Sequence, residues 1–496
     1  SIPNPTKVLS RSILDFFRGS PPTWSDIFSG QLFRTSHYDV LRDAIHAKND
    51  TVITGVPTSG KTTLLMQLAA EIDYAGHKII LNGISEGEAR LIIRRLEGEP
   101  ALIFIDNVAN DIDSLNVLTS SPNVVVVAAE RDYTLGTVSH RVNNLESMVL
   151  EISEMTSTDM QGCHDSIPES IKKNSLLIPK MTNNVYPSLY EFISINVAGP
   201  TIRERMSSAL RKFRADSPAL AEMLLFIAYV HACRTPVSMD MALAYWSGRI
   251  QDYSEVYRMV ADVGALLHEY EGDLAEEPQD YFAARSLLAA EAVLDSAESA
   301  MLKKMLLTFH HNISPMRISN YNIFRRKGYD SRLISKAFSS WQEGMAFYED
   351  IYDKVQNPYI RQHEALFLNA RGKYREAFAA IDKARSEAGD MNFTIKNSHA
   401  IILFRANIGI EEASGVRAEL DKSMQILMDC YKSDLRKGFH AMTFADHALR
   451  YWDRYPDSKG KEYLAYADRW LETQRQIEPW RLRNINRLQN LVRKKL

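Results

Sequence analysis

Cysteine is scarce and scattered in this sequence. Cys163, Cys233 and Cys430 are the only three among 496 residues, with no CxxC pair and no Cys/His spacing that would hold a metal. That excludes a disulfide framework and points to a reducing compartment, the cytoplasm, with the three thiols buried. Long apolar runs are missing as well. No stretch approaches the ~20 residues a membrane helix needs, and the most apolar segment, Ala219 to Ala232, carries Glu222 and His231. Nor is there an excess of either charge. Lys plus Arg number 59 against 62 for Asp plus Glu, a net −3, which argues against binding nucleic acid through bulk charge. What is left is an ordinary globular balance, 45% apolar and 24% charged, long enough for about three domains at roughly 150 residues each.

The pattern changes along the chain. Residues 1–50 contain a break at Gly19-Ser20-Pro21-Pro22, then a predicted helix from Tyr38 to Ala47. Between 51 and 153, strand-like and helix-like runs alternate. Thr51–Thr54, Lys78–Leu81, Ala101–Ile105, Val124–Ala128 and Ser147–Ile152 read as strands, Thr62–Ala75 and Glu86–Leu96 as helices. The third strand is apolar throughout, as expected when both faces are covered. The alternation predicts a parallel α/β sheet. After about residue 155 the strand signal nearly vanishes, apart from a hairpin-like piece around Leu266 to Phe282, and 298–496 reads as almost uninterrupted helix.

Gly55-Val56-Pro57-Thr58-Ser59-Gly60-Lys61-Thr62 matches GxxxxGK[ST] and lies between a predicted strand and a predicted helix. Gly55 and Gly60 permit the turns that aim successive amides, among them those around Thr58, Ser59 and Thr63, at phosphate oxygens. Lys61 is expected to reach the β/γ-phosphates and the Thr62 hydroxyl to ligate Mg²⁺. Asp106 ends the third strand, where a carboxylate can hold the same Mg²⁺; an Asp there is also a common turn-former. The residue after it is Asn107, not the second acid that fast hydrolases use to polarise water, so nucleotide binding is promised more firmly than rapid hydrolysis. Arg131, after Val124 to Ala129, falls at the sheet edge facing the phosphates and suits a γ-phosphate sensor; a surface cluster with Glu130 or Asp132 is the alternative. Lys61, Asp106 and Arg131 are thus the candidate catalytic residues, with ATP or ADP and Mg²⁺ as cofactors.

The order of these parts carries a resemblance. Leu32-Phe33-Arg34, the P-loop, the Asp106 strand, the strand ending in Arg131, then Val149 to Met155 and a helical remainder resemble the signal-transduction ATPases with numerous domains, the STAND NTPases, and most of all bacterial members acting in antiviral defence. The resemblance covers about residues 20–295. It implies that Arg34 stands for the family's arginine before the P-loop helix, although the usual Gly-Arg-Glu is reduced to Phe33-Arg34-Thr35. It implies that Pro187 packs near the adenine, with the glycine of that motif missing at Val185. It implies a winged-helix domain at about 216–295, where Arg285 falls at the position of a histidine that touches the β-phosphate; a solvated arginine at a helix start would look the same.

Further on, Phe367 to Phe378 and Ile381 to Ala384, with Gly372, Tyr374, Ala377 and Ala384, resemble the central turn of a tetratricopeptide repeat; a plain helical bundle is the alternative. Trp470 to Leu496 is basic, a nucleic-acid patch or a solvated helix end. The expected architecture is multidomain α/β plus α: residues 1–30 a linker, 31–155 a P-loop nucleotide-binding domain, 156–215 a helical arm, 216–295 winged-helix-like, and 296–496 a tetratricopeptide-like sensor. The implied function is an ATP-dependent switch that senses a protein trigger, phage-derived by the resemblance, on its C-terminal helical domain and forms a homo-oligomer, without nucleic acid or membrane as partner. No effector chemistry is visible in these residues, and the start at Ser1 leads us to expect the natural N-terminus and an effector upstream. A STAND-type transcription regulator and an AAA-type motor or chaperone are the competing classes.

Overall fold

The computed structural model describes residues 2–55, 59–131, 135, 138–142, 145–152, 155–178, 189–198, 202–250, 252–272, 279–284, 287–318, 321–389, 391–411, 415–435, 437–477 and 482–496. Two compact units divide the chain, Ser1–Gly199 with Tyr431–Leu496, and Pro200–Cys430.

The first unit is built on five parallel strands, β1 (Thr51–Gly55), β2 (His77–Asn82), β3 (Ala101–Asp106), β4 (Val124–Arg131) and β5 (Val149–Glu151), in the order β2-β3-β4-β1-β5. In the unit's first part we label the helices α1 (Ile13–Phe17), α2 (Trp24–Phe28), α3 (His37–His46), α4 (Lys61–Glu71), α5 (Glu86–Leu96), α6 (Asp113–Thr119), α7 (Ser157–Ser166) and α8 (Leu189–Asn196). On one sheet face Ile53, Phe104 and Val127 pack against Leu41, Leu64 and Leu68 of α3 and α4. On the other Val52, Ile103 and Val126 pack against Ala89 and Leu115 of α5 and α6. Alternate side chains of one strand thus enter different cores, which is why the central strands are apolar without alternation. The predicted parallel α/β core is observed.

Two boundaries differ from the sequence reading for local reasons. The helix expected to run to Ala75 stops at Glu71. There Lys78 of β2 donates to the carbonyls of Ala69 (3.0 Å) and Ile72 (2.9 Å), capping the helix end with a cation. Gly76 then passes so close to the Pro100 carbonyl that a Cβ would sit 2.3 Å from its oxygen. β4 runs on through Glu130 and Arg131.

A third cluster joins the N-terminal segment to the back of α4. Phe17 and Ile27 pack with Met66, Met160, Cys163 and Phe192. Asp26 of α2, 1% exposed, is paired with Arg11 and accepts from Thr23 N–H and Oγ1 (2.7 and 2.9 Å). Asp159 of α7 accepts from Ser36 N–H and Oγ (2.7 and 2.8 Å), tying the chain before α3 to α7. In the unit's last part, Tyr431 stacks on Trp470 at 4.0 Å beside helices Lys437–Arg454, Ser458–Ile477 and Leu482–Arg493.

The second unit is largely helical. Helix Pro218–Ala232 is buried from Ala221 to Val230, and its one carboxylate, Glu222, is satisfied by Tyr245 Oη (3.0 Å), Arg249 (3.0 Å) and Lys304 (2.9 Å). Burial pushes that carboxyl up, but these donors outweigh it and hold it below the usual range. The predicted hairpin is present as antiparallel β7 (Leu267–Gly272) and β8 (Gln279–Ala284), joined by the short β6 (Val237–Ser238) in the order β6-β8-β7. The helices from Leu287 onward follow.

Within this unit His310 is buried among Tyr229, Tyr329 and Phe347. Tyr229 donates to the Gly328 carbonyl (2.8 Å) and lies 3.2 Å from His310 Nε2. Burial, reinforced by the Lys354 charge and opposed by Asp350, lowers the His310 pKa to about 3. Its ordinary value is 6.5, so between these limits the unfolded chain binds the extra proton and the fold loses stability as pH falls. Urea unfolding between pH 7 and 4 should show that loss, and His310→Phe should remove up to one proton from its slope, about 1.4 kcal/mol per pH unit.

Candidate functional site

The carboxyl ends of β1, β3 and β4 meet at one edge, because parallel strands covered by helices on both faces all point the same way. Gly55 pairs with Arg131 and Asp106 with Ala129. Val56, Pro57 and Thr58 lie outside the described residues. Ser59 and Gly60 lead into α4, with Gly60 at φ +98°, a conformation that favours glycine. Lys61 is buried at the helix start. Its Nζ donates to the Gly55 carbonyl (2.9 Å) and Ser59 Oγ (3.3 Å), so the ammonium bonds the described residues on either side of 56–58. Thr63, two positions on, is buried as well.

Thr62 Oγ1 donates to Asp106 Oδ2 at 2.6 Å. The helix N-terminus and the β3 carboxylate, 44 residues apart in sequence, are therefore brought together. Burial raises the Asp106 carboxyl above the usual carboxylate range; the Thr62 hydrogen bond opposes this, Glu130's charge adds to it, and Lys61 and the Asn107 N–H pull it back. Asn107 has φ +56°, a left-handed position that asparagine tolerates better than an acid with a longer side chain. Its Nδ2 donates to Asn82 Oδ1 at 2.8 Å, so this residue ties β3 to the end of β2.

Glu130, which the sequence offers only as a surface partner for Arg131, is buried at 1% exposure; the other surface partner, Asp132, lies outside the described residues. An acid at the end of a run buried on both faces was the signal. Arg131 itself stands beside the start of the phosphate loop.

Arg34 is not brought to that loop. It pairs with Glu71 at 2.7 Å and lies 5.3 Å over the Tyr38 ring. Glu71 is the last residue of the eleven-residue α4, about 15 Å from its start at 1.5 Å per residue. The carboxylate and the ring offer the guanidinium partners there. Tyr38, next to them, has its hydroxyl pushed up to about 12, by burial first and the Glu71 hydrogen bond second. Thr58, Pro187 and Arg285 lie outside the described residues. Leu189, two residues after Pro187, opens α8 and reaches the loop: a Cβ on Gly60 would lie 2.8 Å from its Cδ2.

The basic tail is partly neutralised within its own helices. Arg493 pairs with Asp468 (2.7 Å) and Glu472 (3.0 Å), Arg475 with Glu472 (2.7 Å) and Lys495 with Asp453 (2.8 Å). Among the described residues no group of three His, Cys, Asp or Glu is arranged to hold a metal, and no helix is long and apolar enough to cross a membrane.

A phosphate-loop sequence between β1 and α4 of a parallel sheet agrees with what comparison with known families finds. Residues 14–137 match the family Novel STAND NTPase 5. The match supports a STAND-class NTPase, and with it nucleotide binding. It spans Arg34, the P-loop, Asp106 and Arg131, and stops before Pro187 and Arg285. No curated protein matches the chain.

In this phosphate-loop module Gly60→Ala should cost about 1–2 kcal/mol, the penalty for a side chain in left-handed backbone. Because Leu189 Cδ2 is the end of a movable side chain, adding Leu189→Ala should recover only the smaller, steric part. Denaturant unfolding of the single and double variants measures both.

Proposed function

We propose that the protein is a nucleotide-gated switch of the STAND class that binds ATP or ADP with Mg²⁺ at the α4 edge of the sheet. The observation that carries this is the 2.6 Å contact between Thr62 and Asp106 at the start of a helix preceded by the phosphate loop. Free amides at that helix start, with its partial positive charge, would hold phosphate oxygens. Lys61 would exchange its contacts with Gly55 and Ser59 for the β/γ-phosphates. The Thr62 hydroxyl and Asp106 carboxylate are hard oxygen donors of the kind Mg²⁺ takes, and a cation beside them would favour the charged form of a carboxyl that burial otherwise raises. Mg²⁺, when bound, supplies countercharge to the phosphates. Arg131, at the edge of β4, would read the terminal phosphate.

The remainder of the chain would convert that state into an output. The order of helix Pro218–Ala232, β6, helices Met239–Tyr245 and Tyr253–Val263, then β7 and β8 supports a winged-helix reading of this region. Helices Pro358–Ala370 and Tyr374–Ala388, joined through Gly372 at φ +68° with Ala377 and Ala384 buried between helices, support a tetratricopeptide-like reading. A protein trigger, phage-derived in an antiviral system, would bind the C-terminal helices, favour the ATP form and allow homo-oligomers to activate an effector. Each ligand must then bind one state better than the other. The motor alternative expects an acid where Asn107 is held by its backbone angle and by Asn82. The transcription-regulator alternative draws on a basic tail whose charges are partly paired.

Lys61→Ala should abolish ATP binding in calorimetry, and Asp106→Ala should keep weakened binding but lose its Mg²⁺ dependence; ATP affinity unchanged in Lys61→Ala would remove the site assignment.

Turnover by the chain alone should stay well below the ~10 per second enzyme median, because Asn107 cannot act as a base. A phosphate-release assay reaching that median without a partner would contradict the switch reading.

A further inference from the structure

The strand end that carries Arg131 also carries a carboxylate left without a task. Glu130 is 1% exposed. Its Oε1 accepts the Arg131 N–H at 2.8 Å and its Oε2 accepts the Ala109 N–H at 2.9 Å. Ala109 sits, 4% exposed, in the single 3-10 turn Val108–Asn110 that follows Asp106 and Asn107. One side chain therefore bonds the main chain on both sides of the site, the turn after β3 and the last residue of β4.

The strand faces show how it reaches there. Asp106 shares the Phe104 face, with Thr62 and α4, whereas Glu130 shares the face of Val126 and Ala128. Glu130 thus supports the turn from behind the side on which Asp106 meets Thr62. The turn is also held by packing of Val108 and Ala109 in the buried cluster of that face, and at its ends by Asn107 to Asn82 (2.8 Å) and Asp111 to the Glu86 N–H (2.8 Å). Bonds from a carboxylate to buried amides are stronger than neutral ones, and losing one leaves a buried donor unsatisfied. Activating water is the other use for an acid at this place. It needs an oxygen within reach of the water, while both oxygens of Glu130 accept main-chain donors in the interior.

We propose that Glu130 is a positioning residue that fixes the turn after Asp106 to Arg131, so that the two groups facing the terminal phosphate of a nucleoside triphosphate are held as one unit. The inference rests on the nucleotide reading of this site. It makes the ATP-bound form, not nucleotide binding in general, depend on a residue that touches no nucleotide.

Glu130→Gln in the full chain keeps the size but sets an amide NH₂ against one of the two main-chain donors. Calorimetry with Mg²⁺ should show ATP affinity reduced at least tenfold and ADP affinity within threefold of wild type. Equal losses for both nucleotides, or no loss for either, overturn the proposal; so does lost hydrolysis with both affinities kept, which would make Glu130 the base. If Glu130→Gln does not fold, Glu130→Asp, with the charge withdrawn by one methylene, serves the same comparison. A wild-type chain that binds no ATP would overturn the nucleotide reading itself, and is told apart because it fails before any variant is compared.

Discussion

The hydrogen bond from Thr62 to Asp106 exists only because β1 and β3 end at the same edge with β4 between them. β1 delivers the phosphate loop and the start of α4. β3 delivers the carboxylate. β4 delivers Glu130 and Arg131 into the gap. Crossover connections over the two faces keep the strands parallel, and parallel strands bring all their carboxyl ends to one side. The chemistry of the site therefore depends on apolar burial several residues away, in Ile53, Phe104 and Val127 on one face and Val52, Ile103 and Val126 on the other.

Buried acids mark the joints of this molecule. Asp26 receives Arg11 and Thr23, Asp159 receives Ser36 and caps its own helix, Glu222 receives two cations and a phenol, and Glu130 receives two main-chain amides. A buried charge is costly unless its hydrogen bonds are made, so each of these residues specifies one arrangement of the segments it joins. Glu130 differs from the others in standing beside the edge proposed to hold the nucleotide.

Asn107 and Arg34 are both held by partners close to them. At 107 the backbone is left-handed and the side chain is bonded to Asn82, so the position serves the turn. Arg34 has a carboxylate and an aromatic ring at the far end of α4. In both places the local partner decides where a polar side chain goes.

The sequence by itself determined the parallel α/β core, the phosphate loop, the strand ending in Asp106 and the helical remainder, because periodicity and glycine spacing are local properties. The early end of α4 was not legible, since it depends on Lys78 from the next strand. Nor was Glu130's role: its partners are the neighbouring Arg131 amide and an amide 21 residues away in the chain, and no local pattern records the second. Arg34's place likewise follows from Glu71 and Tyr38 meeting across two helices. Strand order, register and the partners of buried charges are decided by contacts between distant segments, and those contacts form only when the two faces of the sheet are covered.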